Sequence, residues 1–151
     1  MPVAAVLEAA TAACLPRATE LGVVLEVDCP SDLGWRINAP LFEQAVINLV
    51  DNAVKYSEQG DVVRLSAAHE PGEAGQLVIL VQDEGCGIAA DHLPRLFERF
   101  YRVDKARSRG LGGTGLGLSI VKHIVQAHGG SVAVESEPGV GTSFTIRLPP
   151  A

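Results

Sequence analysis

The stretch GLGGTGLGLSIVKHIVQAHGG, residues 110–130, crowds five glycines into its first eight positions and then runs into an amphipathic helical pattern. Glycine costs about 0.5–1 kcal/mol relative to alanine inside regular structure, so such a cluster marks a sharp turn or a close approach to bare backbone. A helix start exposes unpaired N–H groups and the positive end of a dipole, and both suit a phosphate. Several familiar phosphate loops do not fit. Gly110, Gly112 and Gly115 satisfy G-x-G-x-x-G, but no hydrophobic strand precedes them, so the βαβ setting of a dinucleotide site is missing. A Walker loop would need G-K-[ST], and a protein-kinase glycine loop would need V-A-I-K, H-R-D and D-F-G segments; none is present. What remains is Gly113-x-Gly115-Leu116-Gly117 opening a helix, with backbone N–H groups free for a polyphosphate.

The approach to that cluster is basic. Arg95, Arg99, Arg102, Lys105, Arg107 and Arg109 supply half of the 12 basic residues of a chain whose net charge is −6. The overall sign disfavours a nucleic-acid partner, while a basic loop entering a helix N-terminus attracts an anion. At 151 residues and 47% hydrophobic, the chain is sized for one domain spanning 1–151. No apolar run approaches the ~20 residues of a bilayer span, and the apolar start holds Glu8 with no basic residue ahead of it, unlike a signal peptide. Cys14, Cys29 and Cys86 share no metal spacing. Scattered thiols of this kind fit a reducing, cytoplasmic setting.

Working outward from the cluster, hydrophobic periodicity predicts helices over about 3–20, after Pro40 through LFEQAVINLVDNAVKYS, and over 115–128, the last stopped by Gly129-Gly130. Strands are expected in VVLEVD, VVRLSAA, QLVILVQ, SVAVES and TSFTIRL, with hairpins over 62–82 and 131–148. Hairpins argue against a purely alternating parallel fold. The expectation is an α+β two-layer sandwich, a mixed, mostly antiparallel sheet with helices on one face. The segment from about 84 to 112 is longer than structureless connections usually are, which suggests a functional or mobile lid.

Two constellations could carry chemistry. On the helix after Pro40, Gln44, Asn48, Asn52 and Lys55 recur at spacings of four, four and three, which gathers them on one side. A polar stripe on an otherwise apolar helix is either a core network, a wet edge or a site wall; amide oxygens are hard ligands suited to Mg²⁺, and an ammonium can meet phosphate. The second is QLVILVQDEGCGI, where a near-continuous apolar strand, expected to be buried, delivers Asp83 to a turn containing Gly85 and Gly87. A carboxylate before a glycine turn can present an acceptor while the backbone comes close, although such turns also arise for structural reasons.

Taken in order, NLVDNAVKYS, DEGCGI, LFERFYRVD, GGTGLGLSIVKHIVQAHGG and GVGTSFTIRLP resemble the boxes of the ATP-binding catalytic domain of sensor histidine kinases, within the superfamily shared with DNA gyrase, heat-shock chaperones and mismatch-repair ATPases. The resemblance covers roughly residues 20–149. It implies a Bergerat-type sandwich holding Mg²⁺ and ATP, with a mobile lid over about 88–112. It further implies that Asn52 coordinates Mg²⁺, that Asn48 and Lys55 belong to the same box, with Lys55 near the phosphates, and that Tyr56 packs beside the nucleotide. Asp83 would accept from the adenine amine, Gly85, Gly87 and Ile88 would line the base, and Thr142 would support that contact. Phe97 and Phe100 would anchor the lid and Arg102 would reach the phosphates from it. Gly113, Thr114, Gly115, Leu116, Gly117 and Leu118 would wrap the triphosphate.

The hydrolysing relatives generally carry a glutamate at the first box position, where this chain has Asn48, and an amide cannot be a general base. That favours donation of the γ-phosphoryl to a histidine. His69, His92, His123 and His128 all sit in settings that suit structural or solvent-facing roles, so the acceptor is expected on a separate dimerisation domain, with a response regulator downstream and any membrane attachment through upstream segments. The chain would then be an excised or truncated catalytic domain, without its phosphoacceptor and sensor. The rival readings are a self-contained ATPase or serine kinase of the same superfamily, and a nucleotide-binding module without catalysis.

Overall fold

The computed structural model describes residues 2–70, 75–88, 91, 93–98 and 117–150. Helix α1 (Val3–Leu21) buries Val3, Val6, Leu7, Ala10, Cys14 and Ala18, the recurrence that a 3.6-residue period demands of a one-sided helix. It stops at Gly22, whose φ of 73° lies in the left-handed region and whose N–H bonds back to Ala18 and Thr19. Strand β1 (Val24–Asp28) leads to helix α2 (Ala39–Tyr56). The Asn38 side chain accepts the Leu41 N–H at 3.2 Å, and Pro40 occupies the first turn, where its missing N–H breaks no intrahelical bond. Phe42, Ala45, Val46, Leu49, Val50, Ala53 and Val54 form the buried stripe of α2.

Strands β2 (Val62–His69) and β3 (Leu77–Asp83), helix α3 (Gly117–Ala127) and strands β4 (Ser131–Glu137) and β5 (Gly141–Leu148) follow. The sheet runs β1-β2-β3-β5-β4, with β1 parallel to β2 and every other pairing antiparallel. A parallel neighbour needs a crossover, which α2 supplies. Val63, Leu65, Ile79, Val81, Phe144 and Ile146 point from the sheet into one core with the stripes of the helices. The expected α+β sandwich with helices on one face is what the chain forms.

The outward face explains a difference from the sequence reading of β3. QLVILVQ is nearly continuous in apolar residues, yet only Leu77, Ile79 and Val81 are fully covered, while Val78 and Leu80 are half-buried. Across the same outer face Glu26, Arg64, Gln82, Ser143 and Glu135 stand in one cross-strand row, and Arg64 Nε meets Glu26 Oε2 at 2.9 Å.

One histidine fastens the helices together. His128 Nδ1 lies 2.8 Å from the Ile124 carbonyl, which can only accept, so the proton is on Nδ1 and Nε2 accepts the Asn38 N–H at 3.0 Å. Its ring also meets Phe42 edge-on at 5.4 Å. His69 ends β2 with its ring 5.6 Å from that of Trp35, and His123 is exposed on α3; His92 lies outside the described residues. Because His128 satisfies a backbone donor at the start of α2, His128→Ala should lower the unfolding free energy by about 1–3 kcal/mol, read from the urea midpoint; an unchanged midpoint would contradict the clamp.

Candidate functional site

Beside its buried stripe, α2 carries Gln44, Asn48, Asn52 and Lys55, of which Asn48 meets the start of α3 and holds Gln44. Asn48 Nδ2 donates to the Gly117 carbonyl at 3.3 Å and Asn48 Oδ1 accepts from Gln44 Nε2 at 3.1 Å. The carbonyl is acceptor-only, so it fixes the orientation of Asn48 and, through Asn48, that of Gln44. A Cβ on Gly117 would lie 3.9 Å from the Asn48 side chain, so the first residue of α3 rests directly on α2. One turn further along α2, Asn52 is half-buried and has no side-chain hydrogen bond among the described residues. Lys55 Nζ is 5.4 Å from the centre of the Tyr56 ring.

The loop after β3 reaches the same helix. Gly85 lies so close to α2 that a Cβ there would stand 2.3 Å from the Tyr56 carbonyl oxygen. Gly87, at φ 75°, passes beneath the β4–β5 turn, where a Cβ would come within 2.3 Å of the Glu137 carbonyl. The sequence reading left room for a base against these glycines; in the structure their bare faces meet the protein's own backbone, and this packing by itself requires glycine.

Asp83, 9% exposed, is the last residue of β3. Its Oδ1 accepts the Gly85 N–H at 2.9 Å, and the Thr142 N–H also donates to the carboxyl. Burial pushes the carboxyl up from 3.8 to about 6; the two backbone donors pull it down, and Asp61 adds a smaller upward push. Thr142, 5% exposed, sits opposite Asp83 in the β3–β5 ladder. Its hydroxyl is 2.9 Å from Ser136 Oγ, which also receives the Ile88 N–H at 2.7 Å and lies 3.0 Å from the Gly141 carbonyl. Ile88 itself is buried. Nothing in the alternating pattern of SVAVES singles out Ser136, and sequence reasoning missed it.

Phe97 packs edge-on against Phe144 with ring centres 6.1 Å apart, and Leu96 beside it is buried, so this part of the aromatic box is tied to the core. Leu118 is half-buried against the core. Phe100, Arg102, Gly113, Thr114, Gly115 and Leu116 lie outside the described residues, as does most of the expected lid over 88–112.

The chain as a whole is similar to known proteins. The family of histidine kinase-, DNA gyrase B- and HSP90-like ATPases matches residues 37–151. This chain belongs to that family. The sensor protein SrrB of Staphylococcus aureus is 39% identical over 148 residues, which cover 98% of this chain and 25% of SrrB. Among solved structures, a mycobacterial sensor histidine kinase, MprB, superposes with a TM-score of 0.83 at 29% identity, covering 99% of this chain and 96% of that one. Full-length ShkA in complex with AMPPNP gives a TM-score of 0.79 at 31% identity, over 99% of this chain and 30% of that one. The histidine kinase-like ATPase domain described here thus spans about a quarter of the length of the curated relatives it matches.

In this ATPase domain Asp83 binds a proton more readily when folded, with its carboxyl at about 6, than in the unfolded chain near 3.8. Its contribution to stability therefore rises as pH falls from 7 through 6 toward 4, and the ionised form at neutral pH carries a cost on the order of 3 kcal/mol. The unfolding free energy of the wild type minus that of Asp83→Asn should grow as pH is lowered from 8 to 5; a constant difference over that range would contradict the burial of an ionisable acceptor.

Proposed function

We propose that this domain binds Mg²⁺ and ATP and donates the γ-phosphoryl group to a histidine on a separate dimerisation and phosphoacceptor domain, as the catalytic part of a two-component sensor kinase. The observation that carries the reading is the meeting of Asp83 and α2. The contact between Gly85 and the Tyr56 carbonyl brings a buried carboxyl, bonded by backbone N–H groups and retaining acceptor capacity, to the turn of α2 that carries Asn52, Lys55 and Tyr56. In this reading Asp83 accepts from the exocyclic amine of adenine, supported by Thr142 and Ile88. Lys55 serves the phosphates, and the segment from Gly113 to Leu118 wraps them, with Arg102 reaching in from the lid.

Asn52 fits a cation: its amide oxygen has no protein donor among the described residues. Among those residues no group of three His, Cys, Asp or Glu side chains could hold a metal, which suits an ion that takes most of its ligands from phosphate and water. When bound, Mg²⁺ would supply charge neutralisation on the phosphate oxygens. Asn48, donating to Gly117 O through its amide, has no basic atom with which to activate water. This supports transfer, in which an imidazole nitrogen of the acceptor attacks phosphorus, the bond to the β–γ bridging oxygen breaks and ADP leaves. His69 and His128 are each held against an aromatic ring, and His123 lies on α3. In this reading the acceptor lies on another domain, a response regulator receives the group afterwards, and the whole kinase is membrane-anchored with this domain on the cytoplasmic side. Among the described residues, no helix is long and apolar enough to cross a membrane.

The test uses γ-labelled ATP. The domain alone should bind Mg·ATP yet retain no label and release little phosphate. Adding a cognate helical hairpin that carries the acceptor histidine, linked covalently to raise its effective concentration, should give acid-labile label on that histidine. Label on the isolated chain, or brisk phosphate release without an acceptor, would overturn the proposal in favour of a self-contained kinase or ATPase.

A further inference from the structure

The hydroxyl of Ser136 makes three contacts, and their donor and acceptor identities leave one consistent arrangement. The Ile88 N–H at 2.7 Å can only donate, so Ser136 Oγ accepts it. The Gly141 carbonyl at 3.0 Å can only accept, so the single Ser136 proton goes there; without it, two oxygens would face each other with lone pairs only. The third contact, 2.9 Å to Thr142 Oγ1, must then be one that Ser136 accepts, and the Thr142 proton is spent on it. Thr142 also gives its N–H to Asp83. Both protons of Thr142 are thereby committed inside the protein, and what its hydroxyl can still offer is a pair of acceptor positions. Asp83, ionised, is likewise acceptor-only. Side by side in the β3–β5 ladder, the two residues make a floor that accepts hydrogen bonds and donates none.

We infer that Ser136 is a specificity-determining positioning residue, which holds the Thr142 hydroxyl as an acceptor so that the floor takes a purine bearing an amine and rejects one bearing a carbonyl at the same place. The inference deepens the proposed function and rests on the base lying over Asp83 and Thr142. Ser136 itself is covered on its inner side by Ile88, Gly141 and Thr142 and acts through Thr142. An alanine at 136 releases the Thr142 proton, which then rotates to donate to the carbonyl of guanine, so GTP gains while ATP loses little. A site that depended on amine recognition by shape alone would not respond in this way, because a hydroxyl deletion behind the floor changes no contact surface.

The experiment measures dissociation constants of Mg·ATP and Mg·GTP for the wild type, Ser136→Ala, Thr142→Val and the double variant, with circular dichroism to verify folding. The wild type should prefer ATP, and Ser136→Ala should lower the GTP-to-ATP ratio of dissociation constants on the order of fivefold, the scale of one reoriented hydrogen bond. In the Thr142→Val background, Ser136→Ala should shift the ratio no further. Equal weakening of both nucleotides by Ser136→Ala, or a ratio shift that persists without the Thr142 hydroxyl, would overturn the inference. Should Ser136→Ala not fold, Thr142→Val carries the test, since it removes the same acceptor and keeps the other Ser136 bonds; an unchanged ratio there overturns the inference too. A wild type that binds neither nucleotide, or both equally, would instead fail the proposed function and so is told apart.

Discussion

The close approach of Gly85 to the Tyr56 carbonyl is the constraint on which the rest of the site depends. A side chain at 85 would stand 2.3 Å from that oxygen, so the end of β3 can lie on the last turn of α2 only because the chain there is bare. This contact joins the two layers of the sandwich at one edge. It delivers Asp83 to the helix that carries Asn48, Asn52 and Lys55, and it leaves the carboxyl largely buried and bonded by backbone N–H groups. The polar stripe of α2 is tied to α3 through Asn48 and Gly117, and its start is tied through His128. Helix α2 is thus held at both ends and along its polar stripe, as a rigid wall for a ligand must be.

Holding Asp83 in this way costs stability. A carboxyl raised to about 6 is disfavoured in its ionised form at neutral pH. That is a common signature of a group kept for a ligand rather than for the fold. The surrounding donors limit the cost without removing the acceptor capacity, since a carboxylate has lone pairs to spare.

Much of the fold was legible in the sequence because its signals are local. Pro40 ahead of the apolar run, the stop at Gly129 and the alternation in TSFTIRL each fix an element through neighbouring residues. The polar stripe of α2 was legible for the same reason, since helical spacing alone gathers Gln44, Asn48 and Asn52. Other features were not. The roles of Gly85 and Gly87 depend on which backbone each meets after folding, and a glycine turn reads alike whether it makes room for a ligand or for the chain itself. Ser136 was missed because a serine in an alternating strand is unremarkable until Ile88, Gly141 and Thr142 converge on it. The burial of Val78 and Leu80 was overestimated because a run of apolar residues does not say which side of a sheet lacks a covering layer.

The central claim is that Asp83 and α2 together form one nucleotide site. Its most direct test is a crystal structure of the domain with Mg²⁺ and a non-hydrolysable ATP analogue. The account predicts the exocyclic amine of adenine within about 3 Å of the Asp83 carboxylate and the Asn52 amide oxygen about 2.1 Å from Mg²⁺. A base bound away from Asp83, or a metal held without Asn52, would contradict it.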